Sequence, residues 1–271
     1  MPPPLEDQEL AYERAVIALQ ADPAMREIAE EAFLHDDVDE AFHAFIASEH
    51  WARVKALLAS YGVAPPGRVM DFGGGRGLMA AALAAEGYST VLCEINSSDV
   101  CGTAAASRLS ATTGTQFAIA QRPVAALAGE APFDAVVCRA VLHHLPDLLA
   151  VLGEIRAVLR PGSPFIASDE PTVRREEDVK RLQADNVFVP HGVDEQALTA
   201  KSYVRALNEA GFIGARQHFP VSLANYRQFV RPQTFAPLAV AAYAVYRARS
   251  ALLVRPGDVR SFTARRPSSP P

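Results

Sequence analysis

The sequence predicts an α/β protein built on a doubly wound, mostly parallel sheet, with helices ahead of the sheet and a helical insertion before its last strand. Three observations carry that expectation. Short apolar runs alternate with helix-forming stretches between residues 68 and 168; the first run feeds a glycine-rich turn that opens a helix; and residues 5–60 are helix-forming in composition. Alternating strands and helices require right-handed crossovers, which make the strands parallel.

The first helices are expected over Leu5–Gln20, Ala24–Leu34 and Val38–Ser60, none of which contains an internal proline. Tyr61-Gly62 and Pro65-Pro66-Gly67 end them. Strands Arg68–Phe72, Thr90–Glu94, Gln116–Ala120, Phe133–Cys138 and Pro164–Ser168 follow, interleaved with helices Leu78–Glu86, Asp99–Leu109 and Leu148–Leu159. A later helix, Ser202–Ala210, stops at Gly211 and leads into strand Gly214–Val221. Leu238–Val254 carries Arg247 and Arg249 towards its end, where the helix dipole favours cations, and is the expected helical insertion. Its arginines do not line one continuous face, so packing on the domain is expected over a membrane surface. Val259–Arg265 alternates as a final strand.

With 271 residues, 49% of them apolar and 21% charged, the chain can bury one large core. No apolar run approaches the roughly 20 residues that span a bilayer, and Met1-Pro2-Pro3-Pro4-Leu5-Glu6 lacks the basic start and apolar core of a signal peptide, so a cytoplasmic location is expected. Cys93, Cys101 and Cys138 form no Cys-x-x-Cys pair, which points to reduced, buried thiols and to neither a disulfide framework nor a metal site. A net charge of −5 argues against a nucleic-acid partner. Charge is uneven: residues 1–50 hold thirteen acids and two bases, while residues 221–271 hold eight arginines and one acid. Solvated faces or an attraction between the two ends both fit that pattern.

Chemistry concentrates in Val69-Met70-Asp71-Phe72-Gly73-Gly74-Gly75-Arg76-Gly77, a strand running into a glycine turn and then a helix. Glycines at 73, 75 and 77 are one residue tighter than the dinucleotide fingerprint, whose third glycine would fall at Leu78, so a nicotinamide site is disfavoured. Asp71 puts a carboxylate at the strand's carboxyl end. Glu94, ending the second strand, suits the two hydroxyls of a ribose. Both carboxylates also read as caps of the helices that follow.

These residues resemble the class I S-adenosylmethionine-dependent methyltransferases. The resemblance covers about Arg68 to Pro171 and also rests on Phe133-Asp134-Ala135-Val136-Val137, Leu142-His143-His144-Leu145-Pro146-Asp147 and Leu159-Arg160-Pro161-Gly162, with weaker echoes in Ala200–Phe212 and Ser261–Arg266. It implies a seven-stranded sheet whose last strand, Val259–Arg265, is antiparallel and lies beside Gly214–Val221. It also implies S-adenosylmethionine as cofactor, with Asp71, Gly73, Gly75 and Gly77 around the methionine part, and Glu94 with Ile95 beside it at the ribose. Gln121 stands in for the family's adenine-binding Asp, and Arg139 joins the cofactor set. The division it suggests is a helical cap over 1–62, a methyltransferase domain over 63–266 with substrate-side insertions at 171–198 and 222–258, and a disordered tail over 267–271.

Methyl transfer to an oxygen needs a group that removes a proton, which suits a histidine. His143 and His144, after the fourth strand, are the candidate bases, and the same segment also reads as one where an imidazole only bonds backbone. Arg139 also fits as an anchor for an acidic substrate or as an ion-pair partner of Asp134 or Asp169. Cys138-Arg139-Ala140-Val141 replaces the Pro-Pro-aromatic loop of base and glutamine amino-methylating enzymes, and no cysteine follows a proline as in cytosine carbon methylation. The expectation is therefore a methyltransferase acting on a small molecule, first of all at oxygen, without nucleic acid, membrane or metal, and compatible with a homodimer. A cofactor-binding partner subunit without catalysis is the alternative of a different class.

Overall fold

The computed structural model describes residues 5–218 and 258–268. Four helices come first: α1 (Leu5–Ala21), α2 (Arg26–Glu31), α3 (Val38–Ala47) and α4 (Glu49–Ser60). The sheet follows, with β1 (Arg68–Phe72), α5 (Leu78–Ala85), β2 (Ser89–Cys93), α6 (Thr103–Thr113), β3 (Ala118–Ala120), β4 (Ala135–Arg139), α7 (Leu148–Val158) and β5 (Pro164–Val173). Beyond these lie α8 (Val179–Asp185), β6 (Leu198–Thr199), α9 (Ala200–Glu209), β7 (Ile213–His218) and β8 (Asp258–Arg265). The strand order is β3-β2-β1-β4-β5-β8-β7, with the two-residue β6 paired to the end of β5. Pairs from β3 to β5 are parallel, and β8 runs antiparallel to both its neighbours. The fold class matches the expectation, with β6 as an eighth, short strand that no sequence pattern announced.

Side-chain alternation divides the core into two layers. Val69, Ala135, Val137 and Ile166 face one side, where they pack with Phe42 and Phe45 of α3, Trp51, Val54 and Leu58 of α4, and Leu83 of α5. Met70, Val136, Cys138, Phe165 and Ala167 face the other, against Leu152 and Ile155 of α7 and Tyr203 and Leu207 of α9. Period-2 alternation with burial on both faces is what a parallel sheet covered by helices demands. Each fully buried large apolar side chain contributes about 1.5–3 kcal/mol. All three cysteines are free and buried.

Several boundaries differ from the sequence reading. The expected helix 38–60 breaks at Ser48, whose extended backbone (ψ 158°) ends α3 and whose Oγ accepts the Trp51 N–H to cap α4. That capping bond satisfies a donor that the helix start would otherwise leave unpaired. The expected helix 24–34 shortens to a 3-10 turn, Pro23–Met25, followed by α2. α6 begins at Thr103 rather than Asp99 because Asn96 and Ser98 side chains each accept backbone N–H groups two residues on, holding a turn. β5 extends five residues beyond Ser168, and its register against β8 shifts between Ala167 and Glu170. Of the expected insertion 222–258, all but Asp258, which begins β8, lies outside the described residues, including the expected helix Leu238–Val254, as do the last residues of the tail, 269–271.

Candidate active site

The carboxyl ends of β1, β2, β4 and β5 open into a cavity of about 480 Å³, roofed by residues of α1, the 32–34 segment and α3. Such a position, outside the carboxyl ends of parallel strands, is where doubly wound sheets hold ligands.

One wall is built by β1, β2 and their turns. Asp71 is 1% exposed; its Oδ2 accepts the Ala80 N–H (3.0 Å), while Oδ1 has no hydrogen-bond partner among the described residues. Burial, and then the nearby Glu94 charge, push its carboxyl up to about 7. Gly74 packs so close that a Cβ there would lie 2.1 Å from Asp71 Oδ2, so the turn needs glycine at this position. Gly73 has φ 63° and would strike Val141 with a side chain. The Gly75 N–H donates to Glu94 Oε2 (2.8 Å) and the Asn96 N–H to Oε1 (2.9 Å), which fixes the Glu94 carboxylate at the cavity edge beside Ile95. Cys93 and Cys101 also line this wall, and burial pushes their thiols up to about 12 and about 11, so neither is a thiolate at neutral pH.

Two residues expected at the cofactor are not on the cavity wall. Gly77 caps α5 in a left-handed conformation (φ 77°), and its missing Cβ leaves room for Ala106 and Phe117. It serves helix packing. Gln121 is exposed, and its Oε1 accepts the Thr103 hydroxyl (3.1 Å). β3 stops at Ala120 and the chain turns, so Arg122, Pro123 and Val124 line the cavity in its place.

The opposite wall is built by β4 and β5. The backbone N–H groups of Val141 and Leu142 donate to Glu170 Oε1 (2.9 and 3.0 Å), and that of His143 donates to Oε2 (3.3 Å). His143 is 5% exposed and sits between two carboxylates, with Nδ1 2.9 Å from Glu170 Oε2 and Nε2 3.3 Å from Glu195 Oε2. Burial alone would lower its pKa, but the hydrogen bonds to Glu170 and Glu195 outweigh it and raise the imidazole to about 9. A buried imidazolium between two carboxylates has no free nitrogen to accept a proton, and His143 does not line the cavity. The expectation of His143 as a base is corrected on that ground: Glu170 and Glu195 come from parts of the sequence that no motif joins to it.

His144 does line the cavity. Its Nδ1 lies 3.1 Å from the Asp194 carbonyl oxygen, which can only accept, so Nδ1 carries the proton and Nε2 the lone pair. Burial, then the charge of His143, lower its pKa. His143, His144 and Glu195 offer atoms within 4.8 Å of one another, an arrangement that the His143–Glu195 ion pair accounts for.

Arg139, at the end of β4, pairs with Asp169: Nε is 3.1 Å from Asp169 Oδ2. His50 Nδ1 (2.7 Å) and Arg53 (3.3 Å), both from α4, meet the same carboxylate. Asp134 instead receives Arg160. Burial opposes ionisation of Asp169, but His50, Arg139 and Arg53 together draw its pKa down to about 2. Among the residues that sequence reasoning missed, Tyr12, Phe33, Phe45, Val193 and Asp194 also line the cavity. The Tyr12 ring stacks on Phe188 (5.7 Å) and meets His144 edge-on (6.3 Å). No motif marked these residues: Tyr12, Phe33 and Phe45 fall in expected helices, and helix-forming composition does not say which face meets a ligand.

A doubly wound sheet of this order, with an acidic residue at the end of β1, a glycine turn and a second acidic residue at the end of β2, defines a nucleoside-cofactor enzyme of the methyltransferase class. A methyltransferase-domain family model matches residues 42–215, and the chain belongs to that family, the S-adenosylmethionine-dependent methyltransferases. The ubiquinone biosynthesis O-methyltransferase of Xanthomonas campestris pv. campestris (strain B100) is 33% identical over 109 residues, which make up 39% of this chain and 44% of that protein. The chain thus spans less than half the length of this curated relative. Among solved structures, Haemonchus contortus phosphoethanolamine N-methyltransferase 2 in complex with S-adenosyl-L-methionine aligns with a TM-score of 0.57 at 17% identity, over 94% of this chain and 60% of that one. Magnesium protoporphyrin IX methyltransferase from Synechocystis PCC 6803 with bound SAH aligns with a TM-score of 0.55 at 16% identity, over 93% and 99%. At such identities the likeness is one of fold. No helix among the described residues is long and apolar enough to cross a membrane.

Proposed function

We propose that the cavity brings S-adenosylmethionine together with a small-molecule acceptor, and that the methyl group passes to an acceptor oxygen while His144 takes the proton. The β1–β2 wall fits the cofactor. Among the described residues Asp71 Oδ1 is a buried acceptor lacking a donor, which an ammonium group satisfies, and two backbone N–H groups orient Glu94 for the hydroxyls of a ribose. Asp71, Gly73 and Gly75 hold the methionine part in this reading, and Glu94 and Ile95 the nucleoside. The bound cofactor supplies an electrophilic methyl on a sulfonium whose charge disappears on transfer, a reaction favoured by alignment and by exclusion of water. Phe33, Leu34 and Phe45 keep the cavity apolar on the cap side, so residues 1–62 act as its lid.

The observation that carries the oxygen reading is the state of His144. With Nδ1–H committed to the Asp194 carbonyl and a pKa below 6.5, the imidazole is neutral at pH 7 and keeps its Nε2 lone pair for a proton. His143, held by Glu170 and Glu195, ties the end of β4 to β5 and to the 193–196 segment, and so positions His144 without touching the acceptor. The O-methyltransferase relative supports the same choice of nucleophile. The test is incubation of a metabolite extract with the protein and methyl-labelled S-adenosylmethionine, followed by mass spectrometry. A labelled methyl ether or ester is expected. Label on nitrogen or carbon would overturn the oxygen reading, and cofactor binding without any labelled product would favour a non-catalytic partner subunit.

A further inference from the structure

Among the described residues three arginines line the cavity, and they are not equivalent. Arg122 is ion-paired with Glu130. Arg76, 7% exposed, belongs to the glycine turn and donates from Nη1 to the His35 carbonyl (2.8 Å). Arg139, which the resemblance puts in the cofactor set, stands at the end of β4, ahead of the turn that carries His144, and it is anchored in a way that leaves its fork open. Only its Nε is spent on Asp169, and its two terminal nitrogens have no hydrogen-bond partner among the described residues. The guanidinium lies over the Phe33 ring at 4.8 Å, which fixes the plane of the group. Asp169 is 4% exposed and also serves Arg53 and His50, so it does not belong to Arg139 alone.

The backbone on both sides of this pair is strained. Ala140, next to Arg139, has φ 52°, and Asp169 has φ 57°. For a non-glycine residue such a conformation is unfavourable and persists only where surrounding structure enforces it. The strain at Asp169 coincides with the register shift of β5, a kind of irregularity that re-aims side chains at the end of a sheet. The elements therefore converge on holding one guanidinium rigidly, half-buried, with its terminal nitrogens at a cavity.

We propose that Arg139 is the anchor for a carboxylate on the methyl acceptor, making the substrate an acidic hydroxy compound. A planar guanidinium matches a carboxylate bidentately, and a single one leaves a phosphate dianion half unmatched. Phe33, beneath the guanidinium, and Leu145, Val151 and Val193 elsewhere on the cavity lining suit an aromatic or aliphatic skeleton between the anchored carboxylate and a hydroxyl presented to His144. This inference rests on the reading of the cavity as the site of methyl transfer to oxygen.

The test uses the full chain loaded with S-adenosylhomocysteine and a panel of mono- and dihydroxybenzoates, each titrated by calorimetry beside its matched benzamide. At least one acid is expected to bind about 10- to 100-fold more tightly than its amide. Arg139→Gln should erase that preference, and Arg139→Lys, which keeps the charge without the fork, should restore part of it; a loss of S-adenosylhomocysteine affinity in Arg139→Gln as large as the loss of acid binding would assign the guanidinium to the cofactor and overturn the proposal. Equal binding of acid and amide, or binding of neither, overturns the proposal, as does an acid preference that survives in both variants. Failure of wild-type protein to bind S-adenosylhomocysteine would instead count against the cavity as the cofactor site, which separates the two readings.

Discussion

The two walls of the cavity are made in different ways. The β1–β2 wall comes from one stretch, residues 71–101, in which Asp71 and Glu94 are positioned by backbone N–H groups no more than 19 positions away. The wall across from it gathers Tyr12, Phe33, His50, Arg139, His144, Asp169 and Asp194 from most of the described chain, through side-chain contacts such as His50–Asp169, 119 positions apart. A wall made locally is specified by a motif and tolerates little variation. A wall made by distant side chains can change one residue at a time, and substrate choice belongs there.

If the division is right, substitutions in the two walls have separable effects. The largest is expected at His144: His144→Ala should slow single-turnover transfer at saturating cofactor by roughly 100- to 10,000-fold with cofactor affinity unchanged. In the unsubstituted protein the rate should hold at pH 6.5 and fall only on further acidification, because the depressed pKa of His144 keeps the base form present where an ordinary imidazole is half protonated. A wild-type rate in a folded variant would leave catalysis to alignment alone.

His143 should behave differently, affecting stability before chemistry. Its pKa is raised from 6.5 to about 9, so the stabilisation from its two carboxylate partners is complete below pH 6.5 and is lost as pH rises towards and through 9. His143→Gln should lower stability near pH 6.5 by about 3–5 kcal/mol and flatten that pH dependence, as read from denaturant unfolding across the pH range. An unchanged slope would mean that the imidazolium is not what ties β4 to β5.

On the β1–β2 wall, Glu94→Ala is expected to weaken S-adenosylmethionine binding by about 1.5–3 kcal/mol in calorimetry, with folding intact. Unchanged affinity would remove Glu94 from the cofactor set. The smallest effect is expected in the cap: backbone hydrogen exchange in residues 5–60 should slow when S-adenosylhomocysteine binds, because the roof of the cavity packs on what fills it. Slowing confined to β1, β2 and α5 would show that the cap is not a lid.

The glycine turn, the two acidic strand ends and the alternation of strands and helices were legible because each is a local pattern with a local cause. Expectations failed where a longer-range contact intervened. Gln121 was the nearest polar residue to the end of β3, but the strand stops at Ala120 and the next turn brings Arg122–Val124 inward. Gly77 looked like the third cofactor glycine, and its bare Cα instead admits Ala106 and Phe117. Adjacent His143 and His144 were nearly equivalent in the sequence. His143 is raised by hydrogen bonds to Glu170 and Glu195, 27 and 52 positions away and brought in by β5 and the segment after α8, whereas His144 is lowered by burial and by the charge of His143.

The sequence by itself determined the class of fold, the succession of its main strands and helices along the chain, and the glycine turn with its two acidic strand ends, because hydrophobic period and turn chemistry act over a few residues and leave a readable trace. Tertiary structure alone decided which histidine keeps a lone pair, that Arg139 pairs with Asp169 rather than Asp134, and that cap aromatics roof the cavity. Those outcomes depend on burial and on charges meeting across long loops, and no local pattern encodes which distant carboxylate a buried cation will find.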